Sequence, residues 1–586
     1  MRKPLLSALL LSFVVLGLLS LVPGSLDWDE VVSGKTARTL DLYLSRITPF
    51  GFSGAVLYAE DGQILLNKGY GLAVRSGNIP NTRDTVFSTG SITKQFTAAG
   101  IMKLEMMGKL NTSDPITKFF ADVPQDKRSI TLHHLLTHTS GVVEMVGNDY
   151  EKTERDETVS KILSRPLQYS PGEEFSYSNG GYSILAAVIE IVSGESYEEF
   201  LFKYLFEPAG MFFTGYRRPD WANSIVAHWY VDEKDNGIPL EKSYPYWNLL
   251  GNGGILSTTG DMYLWHKALM EDQIISSQAR NKIYTPVLNE YGYGWDIIDS
   301  PRGTLIQHDG GSTLGSSAEF RRYISAGVVT MIFCNQAFER RAMFDAVRDK
   351  VETLVFDGDV PLPPALLPAE NRKVSEEMAG LFDLDGGGSI DIQVEKDRLV
   401  VGGGDRRSEA LLLGAGPGEL DYFERLNNRS ESVLSEAVTG NFSALLSILA
   451  DRDRREGPVR AFIEDRLEMF GSRTGPIIAV SALRTIPEFL NGRKTAQTVV
   501  EFRGEKGSFY ISLFWDGEKN IGFSPMMPPQ KIHIPFLQIS ELRFAGYHLS
   551  AGQVLTLDFV RKNGRITSLL FSSKAGGISA GKKKIL

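Results

Sequence analysis

The chain has 586 residues, of which 42% are hydrophobic and 23% charged, and its formal net charge at pH 7 is −9. This composition is typical of a folded globular protein, the length predicts several domains, and the negative charge argues against a nucleic-acid partner. The only cysteine, Cys334, cannot form an internal disulfide, which excludes the disulfide-stabilised scaffolds.

The N-terminus has the pattern of an export signal. Arg2 and Lys3 precede an uncharged, leucine-rich run from Leu5 to Val22. At 18 residues, this run exceeds the usual apolar core of a signal peptide, ~7–15 residues, and approaches the ~20 residues of a membrane span. Residues 1–25 are therefore predicted to be either a cleaved signal peptide or an N-terminal membrane anchor. Either places the remaining chain outside the cytoplasm, secreted, periplasmic or anchored at the membrane.

Residues 26–358 are predicted to form one α+β domain. The segment GAVLYAEDGQILLNKGYG has the pattern of a hairpin that turns at Asp61-Gly62. Much later, GTLIQHDGG, SSAEFRRY and GVVTMIFCN read as consecutive antiparallel strands, and a last helix runs from about Arg340 to Leu354. Since the strand patterns lie at both ends and helical patterns lie between them, we expect one sheet that collects strands from both ends of the domain.

Ser91 and Lys94 are three residues apart at the predicted start of a helix. The preceding Ser88, Thr89 and Gly90 suit a helix entry, and apolar residues at helical spacing follow until Gly108. Positions i and i+3 share a helix face, which would place the Lys94 amine beside the Ser91 hydroxyl in the first turn. This arrangement can activate a serine nucleophile. The spacing alone is weak evidence, because about two or three such pairs are expected by chance in a chain this long.

The segment HHLLTH places His134 and His138 four residues apart, a spacing that occurs in zinc sites. No glutamate lies between them as in the metalloprotease motif. No metal and no cofactor are therefore predicted.

A serine nucleophile also needs a proton shuttle and an oxyanion hole. Tyr177 and Asn179 lie two residues apart on a loop that leads into an amphipathic helix, and in extended chain such residues point the same way. Tyr246 and Asn248 have the same spacing, but we prefer the first pair because a Pro-Gly turn precedes it. The local sequence leaves open that Tyr177 is a core aromatic residue and Asn179 a helix cap.

His308 ends a predicted strand and begins the only His-x-Gly of the chain. A glycine at Gly310 lets a substrate lie against the strand edge, and the N–H of Gly311 is a candidate to form an oxyanion hole with the N–H of Ser91. A lone histidine beside a turn is more often structural, so this assignment depends on the other two motifs.

The C-terminal half has a different organisation. A proline-rich stretch predicts a linker over residues 359–375, and hairpin patterns predict a small β domain that is split into residues 376–412 and 531–575, the second part turning at Asn563-Gly564. An α+β insert is predicted between them, over residues 413–530. Residues 576–586 are predicted to be a basic tail, where Ser579 and Lys582 repeat the Ser-x-x-Lys spacing by chance.

Five segments together resemble one family. In chain order they are STGSITKQFTAAGIMKLEMMGKL, LHHLLTHTSG, SPGEEFSYSNGGY, GGILSTTGDM and QHDGGSTLGSS, within residues 38–356. They resemble the serine hydrolases related to class C β-lactamases and penicillin-binding proteins, which include D-aminopeptidases, DD-peptidases and esterases. The resemblance implies a β-lactamase/transpeptidase-like fold and a lipocalin-like fold for the small β domain.

The resemblance also implies roles for individual residues. Ser91 would be the acylated nucleophile, Lys94 its activating partner and Tyr177 the second proton shuttle, with Asn179 lining the site and His308 and Gly310 on the edge strand. It does not settle whether Lys94 or Tyr177 is the base in acylation.

One departure from the family affects the substrate. β-Lactamases of this group are expected to carry Lys-Thr-Gly on the edge strand, whereas this chain contains no Lys-Thr-Gly and has His308 there. The chain therefore lacks the permanent positive charge that the lysine of this motif would offer to a substrate carboxylate. β-Lactamase action is accordingly a minor alternative.

The sequence thus predicts an exported serine hydrolase that acts on amide or ester bonds of a small-molecule or peptide substrate, most notably D-amino-acid peptides. The other alternative is a catalytically silent binding or sensor protein with the same fold, although the intact set of candidate catalytic residues argues against it.

Overall fold

The computed structural model describes residues 30–145, 147–231, 233–242, 244–337, 341–358, 362–449, 474–490, 493–526, 529, 532–549, 552–574 and 576–582. The chain divides into two compact units. The first comprises the described residues up to Asp41 together with Ser53–Ala337, and the second comprises Leu42–Phe52 and the described residues after 337. The boundary differs from the predicted domain of residues 26–358 at both ends, because a helical pattern does not reveal which core the helix packs against.

The first unit is built on a seven-stranded antiparallel sheet. Strands from both ends of the unit meet at its centre, where Gly54–Glu60 pairs with Val328–Cys334. The predicted hairpin turn is confirmed, since Asp61 and Gly62 have φ values of 48° and 79°, as a two-residue hairpin loop requires. In spatial order the strands are Val31–Val32, Gln63–Tyr70, Gly54–Glu60, Val328–Cys334, Ser316–Tyr323, Gly303–Ser312 and Asp296–Ser300.

The helical part of this unit surrounds one helix, Thr93–Met106, which is buried on nearly every side. Its Phe96 ring packs edge-on against Phe206 and Trp265, with ring centroids 5.0 and 5.1 Å apart. Because the helix is enclosed on nearly all sides, its buried residues do not form a single hydrophobic face and include the polar Lys94, Gln95 and Thr97. The other α-helices that begin in this unit are Gly34–Ile47, Leu132–Leu136, Arg155–Ser164, Asn179–Ser193, Tyr197–Leu201, Glu207–Ala209, Thr259–Met270 and Ser277–Ile283.

Short strands form smaller sheets around this core. Phe87–Ser88, just before Ser91, pairs with Leu256–Ser257. The remaining short strands are Leu72–Val74 with Ile79–Pro80, and Gln336–Ala337 with Tyr230–Val231 and Lys234–Asp235.

The second unit contains a closed barrel of eight strands. Phe382 and Phe544 both pack against Phe559, with centroids 6.0 and 5.8 Å apart, so side chains fill the interior. The turn predicted at Asn563-Gly564 is confirmed by positive φ at both residues. In order around the barrel the strands are Gly380–Leu384, Ser389–Glu395, Arg398–Gly403, His533–Ser540, Arg543–His548, Gln553–Lys562, Arg565–Ser573 and Gly576–Lys582.

An α+β segment separates the third and fourth barrel strands, which confirms the predicted fold of a small β domain split by an insert. Its long helix is tied to its sheet where Thr485 Oγ1 donates to Asn427 Oδ1 at 2.8 Å. The helices are Arg406–Leu412, Leu420–Val438 and Ser443–Ile448, and the four antiparallel strands are Ile477–Leu490, Arg493–Gly504, Ser508–Asp516 and Lys519–Met526.

The predicted basic tail is wrong for residues 576–582. Gly576–Lys582 is a barrel strand that pairs with Gly380–Leu384 and Arg565–Ser573. Two neighbouring strands satisfy its backbone, which a glycine-rich sequence without alternation could not indicate. Side chains three residues apart on a strand face opposite ways, so Ser579 and Lys582 cannot form a catalytic pair.

The segment predicted as a linker makes specific contacts. Leu367 N–H donates to the carbonyl of Gln538 at 3.0 Å, and Arg372 pairs with Asp397 at 2.6 Å, which attaches the segment to one barrel strand and to one hairpin turn of the barrel. The helix Arg341–Phe356 precedes it, as predicted.

Within the described ranges, no helix combines the length and apolar composition needed to cross a bilayer. The predicted signal peptide or anchor, residues 1–25, lies outside the described residues and stays a prediction.

Candidate active site

Ser91 lies in a 3₁₀ turn, Gly90–Ile92, that leads directly into the helix Thr93–Met106. Gly90 has φ +54°, and a Cβ added there would lie 2.2 Å from the backbone nitrogen of Gly311, so only glycine fits. The side-chain cap predicted at the helix entry is not formed. Thr89 Oγ1 instead donates to the carbonyl of Ile255 at 2.8 Å, which anchors the turn from behind.

The Lys94 side chain is fully buried and reaches Ser91, as predicted from their spacing. Its Nζ lies 3.1 Å from Ser91 Oγ, 2.7 Å from Asn179 Oδ1 and 2.6 Å from the carbonyl oxygen of Asn252. The carbonyl and amide oxygens can only accept hydrogen bonds. A neutral amine would donate its two N–H groups to them and turn its lone pair toward the Ser91 hydroxyl. In that neutral form, the geometry lets Lys94 accept the proton of Ser91.

Burial disfavours the charged form of Lys94 and lowers its pKa to about 7, although the carboxylates of Asp309, Asp149 and Glu144 act in the opposite direction. A substantial fraction of the amine is then neutral at neutral pH. An ordinary lysine, with a pKa near ~10.4, would be almost wholly protonated there.

The lowered Lys94 pKa predicts how acylation depends on pH. The neutral amine predominates above pH ~7, so kcat/KM for acylation should rise about tenfold per pH unit below 7 and level off above it. The measurement is kcat/KM for an uncharged ester between pH 5 and 9, by stopped-flow or initial-rate kinetics. A profile that is flat through pH 7 would contradict Lys94 as the titrating base.

Tyr177 approaches Ser91 from the start of the helix Asn179–Ser193. Its ring centroid lies 4.7 Å from Lys94 Nζ, and the Ser91 side chain is near enough to act on the pKa of the Tyr177 hydroxyl. Burial raises the pKa of Tyr177, so the phenol remains protonated at neutral pH and can donate. The helix cap is Ser178, whose side chain accepts from the N–H of Gly181 at 2.9 Å. Asn179 is therefore not the cap and faces Lys94.

The strand Gly303–Ser312 closes the other side of the site. A Cβ added at Gly310 would lie 2.6 Å from the Ser91 nitrogen, and a Cβ added at Gly90 would lie 2.2 Å from the Gly311 nitrogen. The N–H groups of Ser91 and Gly311 thus belong to one tight contact between turn and strand. That contact can supply the two donors of an oxyanion hole.

His308 is buried, and contacts of the fold engage both of its ring nitrogens. Nδ1 lies 2.6 Å from the carbonyl oxygen of Asp309, and Nε2 lies 3.0 Å from the hydroxyl of Tyr291. A carbonyl oxygen can only accept, so Nδ1 carries hydrogen and in the neutral ring Nε2 accepts from Tyr291. The ring centroid lies 6.4 Å from that of Tyr177. This placement favours a role in shaping the site over a role in moving protons.

One residue that completes the site, Asn252, was not predicted from the sequence. The carbonyl oxygen of Asn252 binds Lys94, while its side chain donates to Ser183 Oγ and to the carbonyl of Asn248. A backbone acceptor leaves no signal in residue type. Of the alternative pair Tyr246 and Asn248, the carbonyl of Asn248 accepts from the Asn252 side chain, and no described contact joins either residue to Ser91.

The two histidines weighed as metal ligands are used in the fold. His134 Nδ1 accepts from the N–H of Thr131 at 3.2 Å, and His138 Nδ1 accepts from the N–H of Ser178 at 3.0 Å. Within the described ranges, no three or more His, Cys, Asp or Glu side chains come together in a group that could hold a metal ion.

Comparison with known proteins places these features in a family. A family model described as "Beta-lactamase" matches residues 50–352. Penicillin-binding protein 4* of Bacillus subtilis (strain 168) is 30% identical over 380 residues, which cover 59% of this chain and 83% of that protein.

Solved structures are similar as well. A penicillin-binding protein from Bacillus halodurans is 27% identical, covering 54% of this chain and 99% of that one, with a TM-score of 0.47. An octameric penicillin-binding protein homologue from Pyrococcus abyssi is 20% identical and covers 92% of this chain and 99% of its own, with a TM-score of 0.50. At this identity the second likeness concerns the fold alone.

Proposed function

The chain belongs to the β-lactamase family, and on that premise we propose that it is a serine hydrolase that cleaves amide or ester bonds through an acyl-enzyme on Ser91. The observation that supports this most is the setting of Lys94. Its amine is buried, faces Ser91 Oγ at 3.1 Å, and has two obligate acceptors for its N–H groups. A lysine that served only to bind a substrate carboxylate would keep its charge and point at the substrate.

The proposed reaction proceeds in two stages. Lys94 takes the proton of Ser91 while Oγ attacks the substrate carbonyl, and the N–H groups of Ser91 and Gly311 stabilise the negative oxygen that forms. Tyr177 then gives its proton to the leaving amine or alkoxide and recovers one from Lys94. Water then attacks the acyl-enzyme with the same proton transfers, which releases the acid product and regenerates Ser91.

The location of this reaction is proposed from the N-terminal sequence alone. An export signal or anchor over residues 1–25 would place catalysis outside the cytoplasm, free or attached to the membrane.

The charges around the nucleophile support a substrate without a negative charge near the scissile bond. After burial, the causes of the Lys94 pKa shift are the charges of three carboxylates, Asp309, Asp149 and Glu144. An anionic substrate would meet repulsion from them, whereas a neutral or protonated amine would not. This favours aminoacyl amides and peptides, including those of D-amino acids, or short esters over β-lactams, which carry a carboxylate.

A matched substrate series tests this proposal. We expect D- or L-alanine p-nitroanilide with a free or acetylated amine to be cleaved at least ~10-fold faster, in kcat/KM, than the N-succinyl form, which adds one carboxymethyl group, and so one negative charge, to the acetyl form. Short p-nitrophenyl esters and a chromogenic β-lactam complete the panel.

Two results would contradict the proposal. If the succinyl form or the β-lactam reacted as fast as the neutral substrates, the assigned substrate charge would be wrong. If mass spectrometry showed a stable acyl adduct without product from every substrate, the protein would be a binding or sensor protein instead of a hydrolase.

A further inference from the structure

His138 lies beneath Tyr177 and has no assigned role in the reaction. It follows the helix Leu132–Leu136, is fully buried, and has a left-handed backbone with φ +56°. A non-glycine residue rarely adopts this conformation unless its surroundings hold it there.

The contacts of His138 fix the residues on both sides of Tyr177. Its backbone carbonyl accepts from the N–H of Ser176 at 2.9 Å, and its Nδ1 accepts from the N–H of Ser178 at 3.0 Å. Its ring centroid lies 4.2 Å from that of Tyr177. One residue therefore holds the backbone before and after the phenol and supports the ring from below.

The hydrogen bond to Ser178 also determines the protonation of His138. Because Nδ1 accepts, the neutral ring carries its proton on Nε2, which has no hydrogen-bond partner in the part of the chain that the structure describes. The rings of Tyr182, Tyr291 and Phe175 surround it, with centroids 5.0, 4.7 and 5.8 Å away. Protonation would place a second donor against the Ser178 N–H and break the contact.

Burial and the nearby Lys94 and His308 lower the pKa of His138 well below its usual value, so the contact persists at neutral pH. A neutral ring also adds no positive charge near Lys94.

We infer that His138 is a positioning residue that holds the Tyr177 hydroxyl at Ser91. This rests on the proposed function of Ser91 as an acylated nucleophile. Tyr177 acts in the chemical step, so His138 affects the rate of acylation more than the binding of substrate.

Two substitutions separate the parts of this role. His138→Phe keeps a flat ring under Tyr177 but leaves the Ser178 N–H without an acceptor, whereas His138→Asn keeps an acceptor near the position of Nδ1 and loses most of the ring. His134→Asn is the matched control. His134 Nδ1 also accepts a backbone N–H in the same segment, but that contact caps the helix Leu132–Leu136.

We expect His138→Phe to lower kcat for acylation at least ~10-fold with KM changed less than ~3-fold, because the Ser178 N–H loses its acceptor. His138→Asn, which keeps an acceptor, should retain part of the wild-type rate. His134→Asn should remain near the wild-type rate. Rates are normalised to the concentration of folded protein, measured by its cooperative thermal transition. If His138→Phe does not fold, the rate and KM of His138→Asn against His134→Asn decide.

Three results would overturn the inference: wild-type kcat in both folded His138 variants, an equal loss in His134→Asn, or an effect confined to KM. Failure of the proposed function is distinguishable from these, because the wild-type protein would then form no acyl-enzyme in the same assay.

Discussion

Replacing Lys94 with arginine is expected to lower the rate of Ser91 acylation by at least ~10²-fold, the low end for removal of a positioned general base. Arginine keeps the positive charge but does not lose a proton in the working pH range. The pocket offers two oxygen acceptors and Ser91 Oγ within 2.6–3.1 Å of the amine, so a guanidinium would also be forced against them. The first-order rate of acyl-enzyme formation by an activated ester measures the loss.

Two further variants separate proton transfer from size in this experiment. Lys103→Arg lies on the same helix, where Lys103 Nζ donates to the carbonyl of Ile274 at 2.8 Å, and it should acylate at nearly the wild-type rate. Lys94→Ala should be as inactive as Lys94→Arg. Added small primary amines should restore part of its acylation rate, and the rate should be higher above the pKa of the amine, where the amine is neutral. Wild-type acylation by Lys94→Arg would instead assign the proton acceptor to Tyr177 or His308.

A second large loss is expected from Gly310→Ala, again ~10²-fold or more, comparable to removal of an oxyanion-hole donor. The added Cβ would lie 2.2 Å from the carbonyl oxygen of Thr89 and 2.6 Å from the nitrogen of Ser91. Both are backbone atoms, so no side chain can rotate away and the strand must move off the nucleophile turn. This separates the N–H of Gly311 from that of Ser91, and kcat/KM for an ester measures the effect.

The matched control for this substitution is Gly581→Ala. Gly581 also lies in a strand, but an added Cβ there meets no atom within 4 Å. We expect unchanged activity and melting temperature for the control. If Gly310→Ala folded and kept wild-type kcat/KM, the contact between turn and strand would not be the oxyanion hole.

Chemistry that depends on side-chain type could be predicted from the sequence. Ser91, Lys94, Tyr177 and Asn179 each lie in a motif, and the structure brings all four together. The turns at Asp61-Gly62 and Asn563-Gly564 were predictable because few other residues accept positive φ at both positions.

Features that depend on backbone partners could not be predicted. Thr89 caps nothing and instead bonds to Ile255, more than 160 positions away in the chain, and Lys94 uses a backbone carbonyl that any residue could supply. His138 has the spacing of a metal ligand, yet its backbone conformation turns its ring under Tyr177. The strand Gly576–Lys582 likewise owes its conformation to the strands beside it.

The central claim is that Ser91 is an activated nucleophile, and covalent labelling tests it most directly. A fluorophosphonate probe should react with the full chain in a time-dependent manner at pH 8, and peptide mass spectrometry should locate one adduct on the peptide that contains Ser91. Ser91→Ala should remain unlabelled, and Lys94→Arg should label at least ~10²-fold more slowly. Equal labelling of wild type and Ser91→Ala, or an adduct at another serine, would contradict the account.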